Sequence, residues 1–284
     1  MELDTLEQMR KHDEDKGLFL SGDHFGRGHE GEGHHGLCFT NLVPDFTARH
    51  LTYEHDASRA FAGILQILTD LGHYRFFHGI PIRGRQFGRC LLWLDMRGCA
   101  LRRQSEVPQW SWLAWKGSIF LFSDPLANET INITCYSLTE NAQGVKHLQP
   151  VEGDYGEDNL DLNYQQIPET ERTLLRPNFH LFFWAETATL VVRDERSGRD
   201  LLIEEASPRC KTNQSSSFVC ARNRNLVGPQ TFLRVRTMMW PREEHIDALL
   251  ITWENGIAYR KCIAEVNLNT WEEARPNGRL IILG

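Results

Sequence analysis

The chain has 284 residues, of which 41 % are hydrophobic and 24 % charged, close to the globular average. Aromatics reach 10 %, with eight Trp, which excludes a disordered chain. The formal net charge of -7 provides no global basic field to recruit nucleic acid or acidic lipid.

Residues 1–36 read as a flexible Gly/His-rich lead-in. Gly22, Gly26, Gly28, Gly31, Gly33 and Gly36 alternate with His24, His29, His34 and His35, and few apolar residues offset the entropy cost of ordering them. The histidine spacing fits no standard zinc pattern, and no cofactor is expected. The acidic start lacks an apolar core of signal-peptide length, and no apolar run is long enough to span a bilayer, so a cytoplasmic location is expected. Seven cysteines without a CxxC spacing read as reduced thiols.

Residues 37–138 read as a helical segment followed by a Trp-rich strand region. Ala57, Ala60, Phe61, Ile64, Leu65, Leu68 and Leu71 form a helical stripe over Asp56–Leu71, with Asp56 as its cap and Gly72 as its end. Gly63 inside it costs about 1 kcal/mol relative to Ala and suggests a close backbone approach. Phe87, Cys90, Leu91 and Leu94 predict a second helix from about Arg83 to Leu94. Beyond it, Trp110–Phe122 and Thr130–Leu138 read as strands.

Residues 139–177, polar and acidic with several Gly and Pro, read as a loop or linker. Residues 178–284 read as β-rich, with strands over His180–Arg193, Asp200–Glu205 and Ser217–Ala221. Asn255-Gly256 between Ile246–Trp253 and Ile257–Val266 is a strong hairpin signal. A short helix over Thr270–Ala274, capped by Asn269, and a strand over Leu280–Leu283 follow. The fold class expected is α+β, a helical part over about 45–95 packed on the β-rich C-terminal part.

The densest aromatic string is Pro108-Gln109-Trp110-Ser111-Trp112-Leu113-Ala114-Trp115-Lys116-Gly117. On a strand, Trp110 and Trp112 share a face, suited either to stacking on a base or sugar or to anchoring the β part against the helices. Catalytic templates fail: GxSxG, HExxH, the Walker phosphate loop and CxxC do not occur. Glu243-Glu244 and Glu272-Glu273 have the residue type for acid–base work but read as solvated faces. Arg83, Arg85, Arg89, Arg97, Arg102 and Arg103 form a local basic cluster that either binds an anion or faces solvent.

Four strings in order carry a family resemblance. Phe46–Ile64 includes Leu51, Thr52, Asp56, Ala60, Phe61 and Gly63 and is similar to the "YSxRxLTYxxDALNAFAGI" segment of fungal heterokaryon-incompatibility (HET-domain) proteins, downstream of the HET domain. Phe77–Pro81, with Gly79 and Pro81, resembles their "xxGLP" step, and Leu91-Leu92-Trp93 resembles "ALLW". Pro108–Gly117, with Pro108, Trp110, Ser111, Trp112 and Trp115, resembles "PSWSWAGWxG". The C-terminal part, with Trp253, Gly256, Tyr259 and Arg260, is also similar. The HET-domain patterns "YxxLSYxWG" and "WIDxxCIxQ" do not occur. The resemblance implies a non-enzymatic regulatory or recognition region related to non-self recognition, without the effector domain, that binds a protein partner; the charge and the short apolar runs lead us to expect neither nucleic acid nor membrane as partner. The signature positions are expected to be structural. An uncharacterised hydrolase or transferase with a site near Trp110–Trp115, and a ligand-binding β module, are the alternatives.

Overall fold

The computed structural model describes residues 39, 42–72, 75–82, 86–95, 100–103, 106–121, 129–151, 164–194, 201–203, 218–219, 226–239 and 244–284. The lead-in over 1–36 lies outside them.

A helical stretch over 42–47 and a 3-10 turn over Glu54–Asp56 lead into α1 (Ala57–Gly72). Its apolar stripe points inward at Ala57, Phe61 and Leu68. Two short strands follow, β1 (Arg75–Phe77) and β2 (Ile80–Ile82). His78 (φ 48) and Gly79 (φ 77) form their two-residue turn, matched to the right-handed twist of the strands. α2 is only Gln86–Cys90. It ends at Cys90, and the chain turns at Leu91 and Leu92, both buried, to reach Trp93. The longer helix expected to Leu94 is thereby corrected, and Leu94 opens β3 (Leu94–Asp95).

The Trp string is not a strand. Trp112–Ala114 is a 3-10 turn, flanked by short strands: β4 (Leu101–Arg102) pairs with β5 (Trp115–Lys116), and β3 pairs with β6 (Ile119–Phe120). Trp110 and Trp112 therefore do not share a strand face.

The remaining strands are β7 (Glu129–Ile131), β8 (Tyr136–Glu140), β9 (Lys146–Pro150), β10 (Leu181–Asp194), β11 (Leu201–Ile203), β12 (Phe218–Val219), β13 (Gly228–Met239), β14 (Glu244–Glu254), β15 (Ile257–Asn267) and β16 (Asn277–Leu283). All belong to one 10-stranded sheet. The stretch expected as a linker over 139–177 contains β9, a 3-10 turn over Tyr164–Gln166 and α3 (Glu169–Arg172), with Ile167 and Leu175 buried.

The ladders form a closed circuit. β10 pairs with β13, β13 with β14, β14 with β15, β15 with β16, and β16 returns to β10. Beyond the reach of β16, β11 and β12 fill the same wall between β10 and β15. The result is a small barrel with one wall made of two pieces. Side chains from alternate positions fill its interior, among them Ala188, Phe232, Ala248, Leu250, Cys262 and Ala264. α4 (Leu268–Glu273) caps the end of β15, with Asn267, not Asn269, accepting the capping bond. Its Trp271 packs with the interior residues, and the opposed Ala248 and Ala264 are small enough to leave room for an indole.

The opposite side chains of β10, β13, β14, β15 and β16 meet α1 and the Trp string in the largest core cluster. A third core joins Tyr136, Leu138, Phe182 and Ile282 to Ile167 and Leu175. Among the described residues strands account for 47 % and helices for 25 %, and apart from α1 the helices are short. This overturns the α+β expectation. The stretch from 45 to 95 carries one long helix, α1, with the short strands β1, β2 and β3 after it.

Candidate functional site

The family-signature residues converge where the N-terminal layer meets the barrel. Each of the four indoles there donates to a backbone carbonyl: Trp93 to Trp110 (2.9 Å), Trp110 to Phe179 (3.1 Å), Trp112 to Gly79 (2.8 Å) and Trp115 to Gln109 (2.8 Å). Ser111 donates to the His78 carbonyl at 2.6 Å and accepts from the Leu113 N–H, capping the 3-10 turn. Its hydroxyl is thus engaged in two structural bonds. Trp112 stands edge-on to Phe61 at 5.1 Å, and Phe77 stacks on Trp110 at 5.7 Å. Gly79 is needed for its positive φ and for space, since a Cβ there would lie 2.6 Å from Leu113.

Arg260 comes from the barrel. Its guanidinium lies over the Trp93 ring, 3.3 Å from the centroid, and donates to the Trp93 carbonyl. Leu92, Pro81 and Pro108 are buried in the same region, and Leu51 is packed against it. Other signature positions stand apart. Thr52, Ala60 and Gly63 face solvent, and Asp56 is half-buried at the start of α1. Gly63 has nothing within 4 Å of a Cβ position, so the close approach expected there is absent. Gly256 (φ 80) turns the β14–β15 hairpin, Trp253 lies under Arg279 at 4.3 Å, and the Tyr259 ring abuts Gly284.

The loop before β10 locks against this assembly. His78 Nε2 lies 2.5 Å from the Asn178 carbonyl, and both residues have positive φ. His180 Nδ1 accepts from the Arg176 N–H at 3.3 Å. Burial depresses the His180 pKa to about 4, and the nearby Arg176 charge adds to the effect against the backbone bond. Burial also holds His78 below the usual histidine range.

The basic cluster is dispersed into structural roles. Arg103 is buried and binds Glu54 (2.6 Å), the Trp115 carbonyl (3.0 Å) and the Thr47 carbonyl (3.2 Å). Arg102 donates to the carbonyls of Ala114 and Val107. Arg89 is 4 % exposed and ion-paired to Glu129. Arg83, Arg85 and Arg97 lie outside the described residues. Of the acidic pairs, Glu272 and Glu273 are exposed on α4, and Glu243 lies outside the described residues. Cys90, Cys135 and Cys262 are buried.

One polar constellation has no counterpart in the motif reading. Glu129 also binds Arg236 at 3.1 Å, and Arg236 binds Asp247 at 2.5 Å. Across the next ladder Asp247 faces Glu265, and His245 Nδ1 lies 3.4 Å from the Glu265 carboxylate. Burial, reinforced by the Asp247 charge, pushes the Glu265 carboxyl up against the pull of His245 and Arg236. The sequence clue is polar residues at alternate positions, His245-x-Asp247 and Arg234-x-Arg236, in strands of otherwise apolar character.

Among the described residues no group of three or more His, Cys, Asp or Glu could hold a metal ion, and no helix is long and apolar enough to cross a membrane. No family model, curated protein or solved structure matches the chain.

Proposed function

We propose that this chain is a non-enzymatic recognition region related to fungal heterokaryon incompatibility, of the kind found downstream of the HET domain, and that it acts in the cytoplasm by binding a protein partner. The observation that carries the reading is the commitment of the signature indoles. Trp93, Trp110, Trp112 and Trp115 all spend their N–H groups on backbone carbonyls, and Arg260 reaches them from the barrel. Residues spent in this way supply a rigid frame, and the surface around it is left for specificity. A stacking platform would instead present an indole face to solvent.

Induced expression in a fungal cell with viability counting is the test. The chain alone is expected to leave viability unchanged and, with a full-length relative, to interfere with that relative's response. Reproducible killing by the chain alone, abolished by changing one polar residue near Trp110–Trp115, would establish the enzymatic alternative in its place.

A further inference from the structure

Among the described tryptophans only Trp184, on β10, is exposed, at 44 %. It makes no hydrogen bond or ring contact with another described residue. A lone exposed indole needs no explanation. Trp184 differs in having a polar frame built beside it. Alternation along β10 puts Glu186 on the same face. On that face Leu280 of β16 stands opposite Trp184, and Gly278 stands opposite Glu186. Nothing lies within 4 Å of a Cβ position on Gly278, so the sheet beside the carboxylate is open.

The polar frame has a fixed direction. Arg234 Nη1 donates to Glu186 Oε2 at 2.7 Å. Its Nε and Nη2 donate to Thr237 Oγ1 at 3.1 and 2.7 Å. With its lone pairs so used, the Thr237 hydroxyl gives its proton to Asn132 Oδ1 at 2.9 Å. Asn132 is exposed, and its amide nitrogen is thereby left as a donor. Glu186 Oε1, on a side chain 45 % exposed, is left as an acceptor. Neither atom has a partner among the described residues. The Glu186–Arg234 pair is neutral as a unit.

We infer that Trp184, Glu186 and Asn132 form a binding surface for a neutral saccharide. An indole takes the apolar C–H face of a pyranose ring. The hydroxyls around the ring edge both donate and accept, which suits Glu186 Oε1 and the Asn132 amide. Arg234 and Thr237 hold these two polar groups in place beforehand, so binding costs less ordering. A nucleotide also offers a flat ring, but its phosphate would meet the Glu186 carboxylate and an arginine already paired. An apolar protein segment would leave both polar atoms without a partner. The site does not depend on the partner-binding role proposed for the chain.

Isothermal titration of the full chain with the neutral trisaccharides cellotriose, maltotriose and chitotriose tests the site. At least one of them is expected to bind with a dissociation constant on the order of 1 mM or tighter. Trp184→Ala is expected to weaken that binding about tenfold or more, and Glu186→Gln about fivefold. Val191→Ala, an exposed change on the other face of β10, is expected to leave it unchanged. Melting temperatures check that each variant folds, and should Trp184→Ala not fold, Glu186→Gln carries the test. No binding of any of the trisaccharides at about 10 mM overturns the inference. So does binding that is unchanged in Trp184→Ala or in Glu186→Gln.

Discussion

The guanidinium of Arg260 lies 3.3 Å from the centroid of the Trp93 ring and donates to the carbonyl of the same residue, 167 positions earlier in the chain. One side chain thus joins the barrel to the N-terminal layer by both its flat face and its edge. Lysine keeps the charge but neither the planar face nor the fork. Arg260→Lys is expected to lower unfolding free energy by about 1–2 kcal/mol in urea titration, the range of a desolvated cation–π contact with a bond lost. A variant with the wild-type midpoint would remove the stack from the energetics.

Trp112 is fully buried, with Phe46 and Phe61 edge-on to it. Trp112→Ala is expected to cost about 3–5 kcal/mol, the usual figure for deleting a buried aromatic. Trp112→Phe should cost less, since it retains ring packing and loses the bond to Gly79. If the alanine variant melts with the wild type, the core role assigned to this residue is wrong.

Gly63 is exposed on α1, and the space where a Cβ would go is empty. Gly63→Ala is therefore expected to stabilise the fold by about 0.5–1 kcal/mol, through helix propensity and a less mobile unfolded chain. A raised melting temperature checks this. A lowered one would mean that the glycine meets a neighbour at that face.

Acid should weaken the fold through His180. Its pKa falls from 6.5 to about 4 on folding, so between those values the unfolded chain binds the additional proton. The contribution is complete above pH 6.5 and is lost progressively as the pH falls to about 4, by up to about 3 kcal/mol. Protonated Nδ1 can no longer accept from the Arg176 N–H. Unfolding measured between those limits should show this slope in the wild type and a shallower one in His180→Asn.

The C-terminal hairpin was legible because its signals are local. Asn255-Gly256 takes positive φ, and the flanking runs become β14 and β15. α1 was legible from its stripe, with its start at Ala57. β13 escaped because Pro229 stands near its start, its burial from Phe232 to Met238 has no in/out period, and the ladder is irregular between Arg234 and Arg236. The Trp string misled because closely spaced indoles also fit a tight turn, where Ser111 caps Trp112–Ala114. The aromatic core was visible as composition, but the partners of its indoles were not. Phe179 bonds Trp110 from 69 residues away, and no local pattern encodes such a pairing.

Because β16 returns to β10 to complete the circuit, synthesis order has a bearing on when the barrel can form. Thr187 and its partner Asn277 are separated by 90 residues. On the ribosome, Leu181 and Phe183 emerge long before Ile281 and Leu283, the strand residues that pack in the same core. Until residues 277–283 leave the exit tunnel, the β10 edge that they occupy has an unfilled ladder, which is the kind of surface that recruits other chains. Nascent protein stalled before that point should therefore depend on chaperone cover, whereas released chains should not.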